Sequence, residues 1–175
     1  MSTKDHAKVG QFISGPMDPN QEPEVGRALP YVRHDVAFIP QVHINKCGDA
    51  CASMLLQYRG RPIPAHIVNA INPRGVLSGL TTDDLKRTYP PAHRWLSLPK
   101  PEGGLWDNAT LAYCLKTYGP IICNFPRHFV LLTGIHEDHL YIHDPWRGAN
   151  LHLTTAEFNK KLKDADKDGM MVLNA

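Results

Sequence analysis

Cysteine is scarce in this chain. Four thiols in 175 residues are too few to staple a small fold, so a disulfide scaffold is excluded and a reducing compartment, or indifference to redox state, fits best. Cys47 and Cys51 would lie one turn apart on a helix, a poor arrangement for bridging each other. Long apolar runs are missing as well. No stretch approaches the ~18–20 residues of a membrane span, and the first residues, Met1-Ser-Thr-Lys-Asp-His-Ala-Lys8, hold no apolar centre of a secretory signal. The expectation is a cytoplasmic protein, or one exported without a cleavable signal peptide. Charge of one sign never accumulates: the net charge is +2. The nearest basic cluster, Lys160-Lys-Leu-Lys163, runs at once into Asp164, Asp166 and Asp168, which reads as a solvated helix end and not as a nucleic-acid patch. Repeats and low-complexity tracts are also lacking.

What is present is ordinary for a soluble globular protein: 42% hydrophobic and 21% charged residues, in a length that suits one domain with a real core. Gly15, Pro16, Pro19 and Pro23 stud the first residues, so 1–30 is expected to be an irregular arm and 31–175 the domain. Val36-Ala-Phe-Ile-Pro40 reads as a short strand. A helix follows from about Cys47 to Arg59, with Asn45 as its cap and Gly60 and Pro62 ending it. Ile63–Ile71 and Asp83–Thr88 are two further expected helices, and Pro90 through Gly104 a loop region. Asp107–Tyr118 is a fourth helix, stopped by Gly119-Pro120. From there the period becomes strand-like: Ile121–Phe125, Phe129–Thr133 and Leu140–His143, then a helix from Thr154 or Thr155 to about Leu162 and a last strand, Met170–Leu173. Helices first and antiparallel strands later make the class α+β with segregated layers.

The chemistry gathers at Cys47. A thiol in the first turn of a helix meets unpaired backbone N–H groups and the positive end of the dipole, which favour the thiolate. Gln41, six residues upstream, is placed to donate a hydrogen bond to an oxygen developing charge near that sulfur. A nucleophilic thiol also needs a base and a group to orient the base. His128 opens one strand of a hairpin and Asp144 closes the other, so both fall at one edge of the sheet. Side-chain parity sets a condition. A two- or four-residue loop between Glu137 and Asp138 would put them on opposite faces, whereas an odd loop or a bulge puts His128 with Val130 and Leu132, and Asp144 with Ile142. An irregular turn within 135–140 is therefore expected.

Blander readings compete. Cys51, Cys114 and Cys123 read as small core residues. His43 is a rival base on the nucleophile's own loop, with no orienting partner. Among ten histidines, His136, His139 and His143 cluster, but their spacing matches no zinc pattern, and Cys47-x3-Cys51 departs from the usual two-residue gap. Asp164-Ala-Asp166-Lys-Asp168-Gly169 imitates a calcium loop whose twelfth position is Ala175 instead of glutamate. No metal and no cofactor are expected. Trp146, next to Asp144, is the tryptophan expected near the site.

Three separated blocks carry a family resemblance: Gln41-x5-Cys47-Gly-x-Ala50-x3-Met54-Leu followed by Arg61-Pro-x-Pro64, His128-Phe-Val-Leu-Leu-Thr-Gly, and Tyr141-Ile-His-Asp144-Pro-Trp146. Together they resemble papain-like cysteine peptidases, most of all the compact bacterial group that includes the bacteriocin-processing peptidases and related effector proteases. The resemblance spans roughly residues 36–150. It implies a papain-like fold with the central helix and other N-terminal helices packed on a C-terminal antiparallel sheet. It assigns Cys47 as nucleophile, His128 as base, Asp144 as orienter and Gln41 to the oxyanion hole. It also implies a protein or peptide substrate and a bacterial effector or toxin role, with secretion machinery or a cognate inhibitor protein as partners. Two departures stand out. Asp49 occupies a position where small or apolar residues are more usual, and the transporter domains fused to bacteriocin-processing peptidases are lacking. The same residues would also serve a deamidase, a transglutaminase or a cell-wall amidase, and a peptide-binding module is the alternative outside catalysis.

Overall fold

The computed structural model describes residues 30–63, 82, 83, 86, 95–162 and 169–173. The expected arm, the helices at 63–71 and 83–88 and the calcium-like turn at 164–169 lie wholly or mostly outside these. Ten elements follow in order: β1 (Tyr31–Arg33), α1 (Cys47–Tyr58), β2 (Trp95–Ser97), α2 (Asn108–Tyr118), β3 (Ile121–Phe125), β4 (His128–His136), β5 (His139–Asp144), β6 (Gly148–Thr154), α3 (Thr155–Leu162) and β7 (Met170–Leu173). The strands form one seven-stranded antiparallel sheet in the order β2-β7-β3-β4-β5-β6, with β1 also pairing β4. The class is α+β.

The pleat separates two cores. Cys123, Val130, Leu132, Ile142 and Val172 point to one face and meet Leu111 and Leu115 of α2 and Phe158 and Leu162 of α3. Ile122, Phe129, Leu131, Met171 and Leu173 point to the other and meet Cys51, Met54 and Leu55 of α1. Strands with both faces covered read as continuous apolar runs, which is why Ile121–Phe125 and Phe129–Leu132 lack clean alternation. Helix α1 is more enclosed than an amphipathic pattern implies, because every residue from Cys47 to Leu56 is buried.

Several elements depart from the sequence reading. Val36–Pro40 forms no strand; Val36 is buried in an extended segment whose carbonyl accepts from His143 Nε2 at 2.9 Å. Strands β1, β2 and β6 exist because neighbouring strands supply their ladders. The cap of α1 is Lys46, not Asn45, and the Lys46 side chain makes no capping bond. Helix α2 ends as read and begins one residue later, with Asp107 as its cap: the Asp107 carboxylate accepts from Thr110 N at 2.7 Å, and Gly119 takes a φ of 77° that a larger residue adopts only with strain.

The hairpin that carries His128 and Asp144 is β4–β5. The β4–β5 turn is a regular two-residue one, Glu137-Asp138, with His136 opposite His139, which corrects the expected irregular turn. The register shifts further along, between Leu132 and Gly134, where Thr133 is the extra residue. Beyond that bulge Leu132 faces Ile142 and Leu131 faces His143, so His128 and Asp144 share a face as the parity condition requires. The bulge is satisfied on both sides: His34 N donates to Thr133 O at 2.9 Å, and Thr133 Oγ1 donates to Tyr141 O at 3.2 Å. Gly134 allows it, since a Cβ there would sit 2.6 Å from Val32 O of β1.

Candidate active site

Cys47 is the first residue of α1 and is buried, at 5% exposure. Lys46 is the N-cap of α1, and its side chain makes no capping bond to the helix. A donor comes from the sheet: Phe129 N–H donates to Cys47 Sγ at 3.4 Å. The sequence held no signal for this contact, because it depends on where α1 crosses β4.

His128 is placed by a tight turn. Phe125 faces His128 across Pro126-Arg127, so the histidine is the first laddered residue of β4. Its Nε2 lies 2.7 Å from Asp144 Oδ1, and the Cys47 thiol is near enough to act on its pKa. Burial alone would lower the His128 pKa. The bonds to Cys47 and Asp144, together with the carboxylate charge, outweigh burial and hold it above the ordinary 6.5. Asp144 is itself fixed, with its side chain 8% exposed. Its Oδ1 accepts from Trp146 N at 2.9 Å and from Arg147 N at 3.2 Å, an Asx-type turn that Asp144-Pro145 foreshadows in sequence. Arg147 Nε stands 4.0 Å from Oδ2.

Gln41 belongs to the same neighbourhood, stitched to the carboxylate turn by Gln41 N–H donating to Pro145 O at 3.0 Å. Its side-chain amide donates to His43 O at 2.8 Å and to Ile44 O at 3.0 Å, bracing the loop that leads to Cys47, while its Oε1 is buried without a hydrogen-bond partner. Asp49 does not point to solvent: it is buried and pairs with Lys46 at 3.1 Å, so a cation balances the carboxylate beside the thiol. His43 is exposed on the loop, and only its backbone takes part in these contacts. His143 is structural, donating from Nε2 to Val36 O and accepting at Nδ1 from Asn150 N at 3.1 Å. Among the described residues no group of three His, Cys, Asp or Glu could hold a metal ion, and no helix is long and apolar enough to cross a membrane.

Burial raises the Cys51 thiol well above its ordinary range, pushes Cys114 up to about 11 and raises Cys123 further, so these three stay protonated and inert. Cys47 differs in having the Phe129 N–H on its sulfur and the His128 imidazole close by. A cleft of about 800 Å³ opens beside His128 and Asp144, with Gln41, Ile44 and the 62%-exposed Trp146 among its walls. An imidazole bonded to a carboxylate in the wall of a cleft, with a buried thiol beside them, can carry out acyl transfer through a thioester.

A thiol at the start of a central helix, packed on an antiparallel sheet that bears histidine and carboxylate, is the architecture of the papain-like cysteine peptidases. Residues 31–163 match the family described as "Papain-like cysteine protease AvrRpt2", and the chain belongs to that family. It is a cysteine peptidase-type hydrolase. Two solved structures are similar in fold. One is a double glycine motif protease from an AMS/PCAT transporter in complex with its leader peptide, at 21% identity and a TM-score of 0.54, covering 83% of this chain and 97% of that one. The other is the peptidase domain of Streptococcus ComA, a bifunctional ABC transporter involved in quorum sensing, at 16% identity and a TM-score of 0.53, covering 77% and 95%. No curated protein matches the chain by sequence.

Proposed function

We propose that the chain hydrolyses peptide or isopeptide bonds with Cys47 as nucleophile, His128 as base and then acid, and Asp144 as the group that orients the imidazole. The observation that carries this reading is that His128 bonds the Asp144 carboxylate at 2.7 Å while the N–H of the next residue, Phe129, bonds Cys47 Sγ at 3.4 Å. The proton of Cys47 passes to His128, and the sulfur attacks the carbonyl carbon. The tetrahedral oxyanion accepts from Cys47 N–H and from the Gln41 amide, which exchanges one of its loop carbonyls for the substrate oxygen. Collapse expels the amine, protonated by His128, and leaves a thioester. Water deprotonated by His128 then releases the acid and regenerates the thiol. Phe129 N–H supports the sulfur while it carries charge.

A peptide is the substrate class the site suits, in keeping with the similar protease seen with a leader peptide. We read the chain further as a bacterial effector or toxin acting on a protein target, from the sequence resemblance to effector proteases. The decisive experiment labels wild type, Cys47→Ala and His128→Ala with a thiol-directed peptidyl electrophile and follows peptide cleavage alongside. Labelling and cleavage are expected in the wild type alone. Labelling that survives Cys47→Ala sinks the nucleophile, and labelling unchanged by His128→Ala turns the reading toward a peptide-binding module.

A further inference from the structure

The cleft beside His128 has two chemical halves. Its floor is apolar: Phe125 and Ile142 are buried, and Leu151 and Leu153 of β6 are half-buried. Its rim is cationic, formed by Arg127, Arg147, Lys160 and Lys161. Among the described residues Asp144 is the one carboxylate in its walls, and that group is already shared by His128 and two backbone amides. Lys161 Nζ lies 5.6 Å from the centre of the Phe125 ring, so a cation hangs over the apolar floor. Glu157, one turn earlier on α3, accepts from Thr154 N–H at 2.8 Å and from its hydroxyl at 2.9 Å and also lies within electrostatic reach of Lys161, which leaves Arg127 and Lys160 as the less compensated cations.

Arg127 adds a second observation. It sits at the positive-φ position of the β3–β4 turn, with φ 65°. Glycine holds that conformation without strain, whereas a side-chain-bearing residue adopts it at a cost. The arginine is held against that cost at the point where its side chain borders the cleft.

Direction along the substrate follows from the chemistry. The acyl half of the substrate stays on Cys47, and the amine half leaves from His128. The walls of this cleft include His128 and Asp144 but not Cys47. We infer that this cleft binds the leaving-group side of the substrate, C-terminal to the cut bond, and that it selects an apolar residue accompanied by an aspartate or glutamate. The inference rests on the peptidase reading above and adds its substrate class: an acidic–apolar peptide segment, its apolar side chain on Phe125 and its carboxylate among Arg127, Lys160 and Lys161.

The test uses a proteome-derived peptide library digested by the wild type and by the K160E/K161E double variant, with cut sites read by mass spectrometry and Cys47→Ala as the blank. Within the first three or four residues after the cut, Asp and Glu should be enriched about three- to tenfold, the size expected of one or two partly screened charges. The enrichment should shrink at 1 M salt, where the Debye length is about 3 Å. In the double variant the preference should weaken or invert toward Lys and Arg, an outcome that misfolding cannot produce. Cleavage without acid enrichment, or enrichment indifferent to both salt and charge reversal, overturns this inference alone. No Cys47-dependent cleavage by the wild type overturns the peptidase reading and this inference with it.

Discussion

The replacement Asp144→Asn isolates what the carboxylate contributes. Asparagine is isosteric, and its amide could in principle face His128 with either end. Here the orientation is dictated, because the same Oδ1 that meets His128 Nε2 at 2.7 Å also accepts from Trp146 N and Arg147 N. Two backbone donors hold an oxygen in place, so the imidazole keeps an acceptor for Nε2–H and loses only the charge. A hydrogen bond to a charged group is worth about 1.5–3 kcal/mol and a neutral one about 0.5–1.5 kcal/mol. The difference, about 1.5 kcal/mol, predicts a loss of roughly tenfold in kcat/KM near neutrality. Asp144→Ala removes all three bonds and should cost about a hundredfold or more.

The pH profile supplies a sharper readout. His128 is held above its ordinary 6.5 by its bonds to Cys47 and Asp144 and by the carboxylate charge, in opposition to burial. Its imidazolium therefore persists to higher pH than a free histidine's, and the alkaline limb of thiol alkylation lies above 6.5. Removing the charge should move that limb to lower pH in Asp144→Asn. Rates of iodoacetamide inactivation between pH 4 and pH 10 measure it. A limb that stays in place, or an Asn variant as impaired as the Ala variant, refutes this account of Asp144.

Three further outcomes follow from particular contacts. In Gln41→Ala, kcat should fall about 10²–10³-fold with little change in KM if the amide serves the oxyanion; a change in KM alone would mean that it only braces the carbonyls of His43 and Ile44. Gly134→Ala should destabilise the fold by about 1–3 kcal/mol, read as a lower urea midpoint, because its Cβ meets the Val32 carbonyl at 2.6 Å and backbone there cannot give way cheaply; an unchanged midpoint would show that β1 can detach freely. His34 is lowered below 6.5 by burial and by Arg59, against the opposing bond to Leu115 O, and it bonds Tyr58 OH. The unfolded chain then binds the proton more tightly, so stability should be full above pH 6.5 and fall as pH drops, by at most about 1.4 kcal/mol per pH unit. Urea titrations of wild type and His34→Gln across pH 5–8 test this, since the variant should lose that part of the slope.

Much of the site was legible in the chain itself. The helix that carries Cys47 and the two strands that carry His128 and Asp144 follow from local periodicity and turn residues, and chain order suffices to bring the histidine and the aspartate to one hairpin. Gly119 as a stop is equally local, whereas Asp107, read as the first residue of its helix, is the cap. The resemblance to papain-like peptidases rested on the same blocks.

Tertiary structure decided the rest, for the reason that the deciding contacts join distant segments. The parity of the hairpin is restored at Thr133 and not in the turn, because β1 packs against Gly134 and His34 takes the Thr133 carbonyl. Strand β6 carries Gly148 and Asn150 and has little strand character of its own; β5 supplies its ladder. Val36–Pro40 has the composition of a strand, yet its hydrogen bonding is met by a buried histidine more than a hundred residues away. The amide of Gln41, the ion pair of Asp49 and the N–H of Phe129 on the sulfur are settled by the packing of loop on helix and helix on sheet. A sequence names which residues can do the chemistry through short-range pattern; which atoms they present to one another depends on register and approach, and those are properties of the folded chain.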